Sequence, residues 1–243
     1  MRYRVDVSYD GKNYYGFQKQ ANQKTIAECL ELTFTQVLGE DISIVASGRT
    51  DAGVSAMCQV CHIDTTKEIE KNIVGYVNHI LPEDIRVLNI CKVDENFHAR
   101  FSPKSKTYEY WFYIGQFKNP IFDRVATYIG YNINVENMKT ACVDLIGEHD
   151  FSSFCASNTS VVDKVRTIFN ADIIKIDGNL YKFIITGNGF LYNMVRIIMG
   201  TLVDVGLGKI DCNALKDIIK QKDRSKAGKT MCSGGLYLKK VEY

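Results

Sequence analysis

Polar and apolar positions alternate one for one at the start of the chain. From Arg2 to Tyr9 the apolar or aromatic Tyr3, Val5, Val7 and Tyr9 are interleaved with Arg4, Asp6 and Ser8, the period of a strand with one wet face. The period then lengthens. Thr25-Ile26-Ala27-Glu28 has the form of a capping box, and Ile26, Cys29, Leu30, Thr33, Phe34 and Val37 recur at helical spacing up to Gly39. Ile42 to Ala46 and Met57 to Ile63 read as strands around a glycine-bearing loop, Glu68 to Val77 as a helix and Ile85 to Val93 as a strand. This β-α-β-β-α-β order is that of a ferredoxin-like unit.

The same order recurs beyond Lys104. Tyr108, Tyr110, Phe112 and Ile114 alternate with Thr107, Glu109, Trp111 and Tyr113, and Val135 to Ile146 has helical spacing. Lys164 to Ile176 and Leu180 to Thr186 read as strands joined by an Asp177-Gly178-Asn179 turn. Phe190 to Val205 is apolar nearly all round, as in a buried helix, Cys212 to Ile219 is a short helix, and Leu236 to Val241 a last strand. The pattern predicts an α/β protein of the α+β kind, with two ferredoxin-like halves, residues 1–103 and 104–243, joined near Ser102 and Pro103. Mainly antiparallel sheets and a central cleft, a common place for a site, follow from that arrangement.

Composition narrows the class. The 243 residues are 46% hydrophobic and 24% charged, ordinary for a globular protein with a proper core. Neither an apolar leader nor a run of about 18 apolar residues occurs, so a cytoplasmic protein without a membrane span is expected. In that compartment the eight cysteines stay reduced. A net charge of +2 permits an RNA partner without demanding one.

Two chemistries compete in the stretch from Ser47 to Asp64. Cys58, Cys61 and His62 have the C-x-x-C-H spacing of covalent haem attachment. They fall in a predicted strand, however, where Cys58 and His62 point to one face and Cys61 to the other, so the sulfurs diverge. Zinc would need two further ligands, and no second C-x-x-C or H-x-x-x-H supplies them. Small buried hydrophobes are the simpler account of both thiols. To the left, Arg49 and Asp51 lie between Gly48 and Gly53, whose conformational freedom lets a loop turn sharply and hold a carboxylate outward. An Asx-turn, with Asp51 bonded to its own backbone, fits the same residues. Arg196 sits in the apolar 190–205 segment with Tyr192, Asn193, Met199 and Gly200 three and four positions away, none of them acidic. Its guanidinium either snorkels to the surface or meets an acidic group from elsewhere, for which Asp51 is a candidate.

Five stretches resemble a known family. GRTDAGVSA at Gly48 to Ala56 is similar to the GRTDAGVHA signature of the TruA-type tRNA pseudouridine synthases. SYDGKNYYGFQKQ from Ser8, FHARFSPKSKTYEYWFYI from Phe97, FLYNMVRIIMGTLVDVG from Phe190 and GGLYL from Gly234 resemble its other motifs, in the same order. The resemblance implies that Asp51 is the catalytic carboxylate, that Tyr108 lies against the target base, and that Arg49, Arg196 and Leu236 line the pocket. It implies further a cytoplasmic homodimer acting without metal or cofactor on tRNA, at uridines 38 to 40 of the anticodon stem-loop. Three departures concern target preference: Ser55 where the family usually has His, Phe17 where it often has Trp, and Thr230 to Ser233 in place of an Ala-Pro-rich approach.

Pseudouridine formation breaks the N1–C1′ bond, turns the uracil and joins C5 to C1′. A carboxylate can attack C1′, attack C6 or remove a sugar proton, and the residues leave these routes open. Burial disfavours its ionised form and a neighbouring arginine restores it, which is the role the resemblance implies for Arg196. The base must also leave its stack, and an aromatic face such as Tyr108 offers about 1–3 kcal/mol in exchange. Cations near residues 104–106, 164–166 and 222–229 are candidates for phosphates. A non-catalytic RNA-binding protein of two ferredoxin-like units is the competing function, although no strand carries the RNP1 pattern.

Overall fold

The alternating start of the chain is strand β1 (Arg2–Tyr9), with Tyr3, Val5, Val7 and Tyr9 all buried. The computed structural model describes residues 1–70, 72–130, 132–157, 159 and 161–243. Helix α1 (Ile26–Leu38) follows, its Glu28 N–H donating to Thr25 Oγ1 and its end turned by Gly39 in the left-handed region. Strands β2 (Ile44–Ala46) and β3 (Ser55–Asp64), helix α2 (Ile73–Ile80) and strand β4 (Ile85–Val93) complete the predicted order. Helix α2 lies later than its predicted span of 68–77, of which residue 71 is outside the described residues. Ile69 N–H donates to Tyr3 Oη instead of to a helical carbonyl, and the helix runs on to Ile80, after which Leu81 is extended before Pro82.

Sheet order explains where this unit presents its loops. β1 pairs antiparallel with both β3 and β4, and β2 pairs antiparallel with β3 from Ile44↔Ile63 to Ala46↔Cys61. The order β4-β1-β3-β2 arises from two β-α-β crossings. The last strand, Leu236–Glu242, runs parallel to β3 through Tyr237↔Ser55 and Leu238↔Ala56. It therefore shares one edge of β3 with β2, each at its own end. Met1–Lys104 and Tyr237–Tyr243 form this unit, so the last strand counts with the first half and not with residues 104–243.

The second unit, Ser105–Leu236, begins with β5 (Ser105–Ile114) and a short β6 (Thr127–Ile129) parallel to it. Helix α3 (Val135–Cys142), β7 (Gly147–Asp150), β8 (Val165–Asp177), β9 (Leu180–Gly187), α4 (Met194–Gly206) and α5 (Leu215–Gln221) follow. Hydrogen bonding orders the sheet β5-β9-β8-β7, antiparallel throughout, with α3 packed on β8 and α4, and α4 on β5. The apolar face of α4 supplies Ile197, Ile198 and Leu202 to the core beside Met138 and Ala141 of α3. Helix α4 starts four positions later than the apolar pattern predicts, because Asn193 adopts a left-handed φ of 59°. Arg196 is consequently in the first turn of the helix and not in its middle.

Candidate active site

Asp51 is carried by the loop that leaves β2 at Ala46 and enters β3 at Ser55. Its carbonyl accepts from Val54 N–H at 3.1 Å, closing a four-residue turn with Gly53 at φ 77°, a conformation that glycine adopts without strain. Residues on both sides of Asp51 are anchored to the segment after β1. Thr50 O accepts from Phe17 N–H at 3.0 Å, the Thr50 and Tyr9 hydroxyls are 2.8 Å apart in a buried setting, and Gly53 N–H donates to Tyr14 O at 3.2 Å. A Cβ on Gly16 would stand 2.6 Å from Thr50 O, so only glycine lets this segment lie so close. Asp51 itself is half-buried and Arg49, two residues earlier, is exposed.

The remaining site residues belong to the second unit. Tyr108 lies in β5 opposite Ile185, nearly buried, with the edge of Phe190 against it at 5.0 Å between ring centroids. Arg196 is fixed by its fork: Nε donates to Met231 O at 2.7 Å and Nη1 to Asn193 Oδ1 at 2.7 Å. Met231 N–H returns a bond to Arg196 O at 3.2 Å, while Tyr110 Oη, 2.8 Å from Thr127 Oγ1, donates to Cys232 O at 2.9 Å. The 230–233 departure is therefore compatible with holding Arg196, because the group that accepts from its guanidinium there is the Met231 backbone carbonyl, which any residue brings. Leu236 is buried just beyond, its N–H donating to Ser233 O at 2.9 Å. Of the cations named from sequence, Lys222 pairs with Asp150 at 2.9 Å and Arg224 reaches Ala227 O and Thr230 Oγ1.

Ser55 occupies the first position of β3, where its hydroxyl accepts from Gly11 N–H at 3.0 Å and lies 3.3 Å from Asp10 Oδ1. Phe17 is buried with its ring 6.1 Å from that of Tyr9. Both departures thus sit in the contact between the Asp51 loop and the segment that anchors it.

The cysteines and histidine of the C-x-x-C-H stretch lie within β3. Burial pushes the Cys58 and Cys61 thiols up from their ordinary range, so both stay protonated at neutral pH. His62 is buried beside Phe97 and His98, with Nδ1 accepting from Ala99 N–H at 3.1 Å. Desolvation first, then the positive charges of Arg2 and His98, bring its pKa from 6.5 down to about 4. Between those values the unfolded chain binds a proton that the folded chain refuses, so acid destabilises the fold over this range. Urea unfolding is expected to show a lower midpoint at about pH 5 than at about pH 7, with a shallower pH dependence in His62→Gln.

The family described as tRNA pseudouridine synthase matches residues 7–102 and 141–243. The tRNA pseudouridine synthase A of Bacillus subtilis (strain 168) is 44% identical over 246 residues, covering 100% of this chain and 99% of that protein. Those of Thermoanaerobacter sp. (strain X514) and Streptococcus agalactiae serotype Ia are 44% and 43% identical, covering 98% and 100% of this chain and 98% and 95% of theirs. A chain of the archaeal box H/ACA sRNP Nop10–Cbf5 complex aligns with 84% of this one and 42% of its own length, at 11% identity and a TM-score of 0.38. That distant likeness carries no further weight. The chain belongs to the tRNA pseudouridine synthase family. Within it, this is an isomerase of the TruA type.

Proposed function

We propose that this enzyme isomerises uridine to pseudouridine at positions 38 to 40 in the anticodon stem-loop of tRNA, with Asp51 as the reacting carboxylate. Arg196 supplies the positive charge that keeps the carboxylate ionised and oriented, Tyr108 stacks on the displaced base, and Arg49 and Leu236 border it. The glycosidic N1–C1′ bond breaks, the uracil turns while bound, C5 bonds to C1′, and the C5 proton passes to solvent as N1 gains one. Reactant and product are isomers, so no electrons enter or leave and the step needs no redox partner. Attack at C1′, attack at C6 and removal of a sugar proton all start from the same ionised oxygen.

The observation that supports this reading is the anchoring of the loop on either side of Asp51, at Thr50 and Gly53, in a member of this family. Preorganisation of that kind is what a group must have to react at a fixed point. The enzyme is taken to work in the cytoplasm as a homodimer, which sedimentation at working concentration checks: full activity in a purely monomeric sample sinks the dimer. The target is tested by incubating the protein with unmodified tRNA transcripts and mapping pseudouridine by sequencing. Modification confined to the 3′ side of the anticodon arm is expected; pseudouridine elsewhere, or none, overturns the assignment.

A further inference from the structure

Between Cys58 and Cys61 lies Gln59, a residue with no part in the chemistry described above. Its side chain is completely buried in β3, where it stands opposite Val7 and is followed by Val60 and Cys61. An apolar side chain of the same size would suit such a place, since a buried amide costs free energy unless both its ends are bonded. Both ends are bonded, and neither bond goes to the sheet. Ser47 Oγ donates to Gln59 Oε1 at 2.6 Å, and Gln59 Nε2 donates to Gly48 O at 2.9 Å. Ser47 N–H also donates to Val60 O at 2.8 Å, a backbone bond just past the end of the β2–β3 ladder. The amide therefore grips the chain where it departs from the sheet, and Arg49, Thr50 and Asp51 come next.

We propose that Gln59 is a positioning residue for Asp51: it sets the direction in which the loop leaves β2, and so where the carboxylate stands. The proposal rests on the reading that Asp51 reacts. The loop is tethered from the 9–17 segment at Thr50 and Gly53 and from Gln59 at Ser47 and Gly48. Gly48 is itself held by the Gln59 tether, so loss of that tether lets the backbone pivot on a flexible residue. A displacement of about 1 Å at a reacting group costs roughly 10²-fold in rate.

The test compares Gln59→Leu, Gln59→Glu and Ser47→Ala with the unaltered enzyme in single-turnover tritium release from tRNA labelled at C5 of uridine, and in tRNA binding. Gln59→Leu keeps the volume and loses both bonds, so its rate is expected to fall about 10²-fold with tRNA affinity within about twofold. Gln59→Glu separates positioning from simple loss of stability. A protonated carboxyl reproduces both bonds, its carbonyl accepting from Ser47 and its O–H donating to Gly48; the ionised form loses the donor and repels the Gly48 carbonyl. Its rate relative to the unaltered enzyme at the same pH is therefore expected to rise as pH falls, and the Leu variant is expected to show no such recovery. Ser47→Ala removes one of the two bonds to the Gln59 amide and should give a smaller rate loss, which keeps the proposal open to refutation if the Leu variant does not fold. Full rates in the folded Gln59 variants, or rate and binding falling together without recovery of the Glu variant in acid, overturn it. Asp51→Asn in the same assay distinguishes the two ideas. Turnover by that variant defeats the reading of Asp51 and the proposal with it; a dead Asp51→Asn beside fully active Gln59 variants defeats the positioning role alone.

Discussion

Asp51→Asn is expected to abolish turnover while the protein still folds and binds tRNA. Asparagine has the shape of aspartate, and the bonds Phe17 N–H to Thr50 O, Val54 N–H to Asp51 O and Gly53 N–H to Tyr14 O are all made by backbone atoms, so the substitution removes the charge and leaves these bonds in place. An amide neither attacks carbon as a carboxylate does nor takes up a proton at neutral pH, and loss of the group at the centre of a reaction costs roughly 10⁴-fold or more. Tritium release from tRNA labelled at C5 of uridine is the appropriate measure, because the label leaves only when the new carbon–carbon bond replaces it. Release within tenfold of the unaltered rate would show that another group performs the chemistry.

The second large effect is expected at Arg196. Its Nε and Nη1 atoms bond Met231 O and Asn193 Oδ1 at the same time, through two nitrogens held apart in one rigid plane, a spacing that the single nitrogen of an ammonium does not reproduce. Arg196→Lys keeps the charge but loses that geometry, and on the proposed role the charge then stands in the wrong place. A fall in kcat of roughly 10²-fold with KM nearly unchanged is expected, the pattern of an interaction made in the transition state and not in the bound substrate. The Met231 carbonyl and the Asn193 amide each lose a charged donor, so about 1.5–3 kcal/mol of stability is expected to go as well, read from urea unfolding. A lysine variant with unaltered kcat would show that Arg196 only pins the 230–233 segment.

Regular elements with a wet face were legible from sequence. β1 and β4 end where the alternation or its flanking signals end, and α1 keeps the bounds set by Thr25 and Gly39. Where apolar residues run without a period, the pattern reports burial and not backbone conformation. Phe190 to Asn193 therefore read as helix although Asn193 turns left-handed before α4. β6 and β7 are too short to show a period, and α2 is displaced because the Tyr3 hydroxyl, distant in sequence, takes the Ile69 N–H. The candidate site divides in the same way. Asp51 and Arg196 stood out as charges that glycines or apolar neighbours leave conspicuous. Gln59 did not, because a polar residue between two cysteines draws the eye to the cysteines, and the value of a buried amide lies in partners visible only after folding.

Placing residues 237–243 on the edge of β3 has a consequence for synthesis. Lys239 reaches Met57 across 182 positions of sequence, and Tyr237 and Leu238 pair with Ser55 and Ala56 only after the whole second unit has been translated. Until then the end of β3 next to the Asp51 loop is a bare edge, and closing so long a chain segment is slow compared with local folding. A nascent chain on the ribosome thus carries the Asp51 loop beside an unfinished strand edge, open to wrong pairings and to chaperones for most of its elongation.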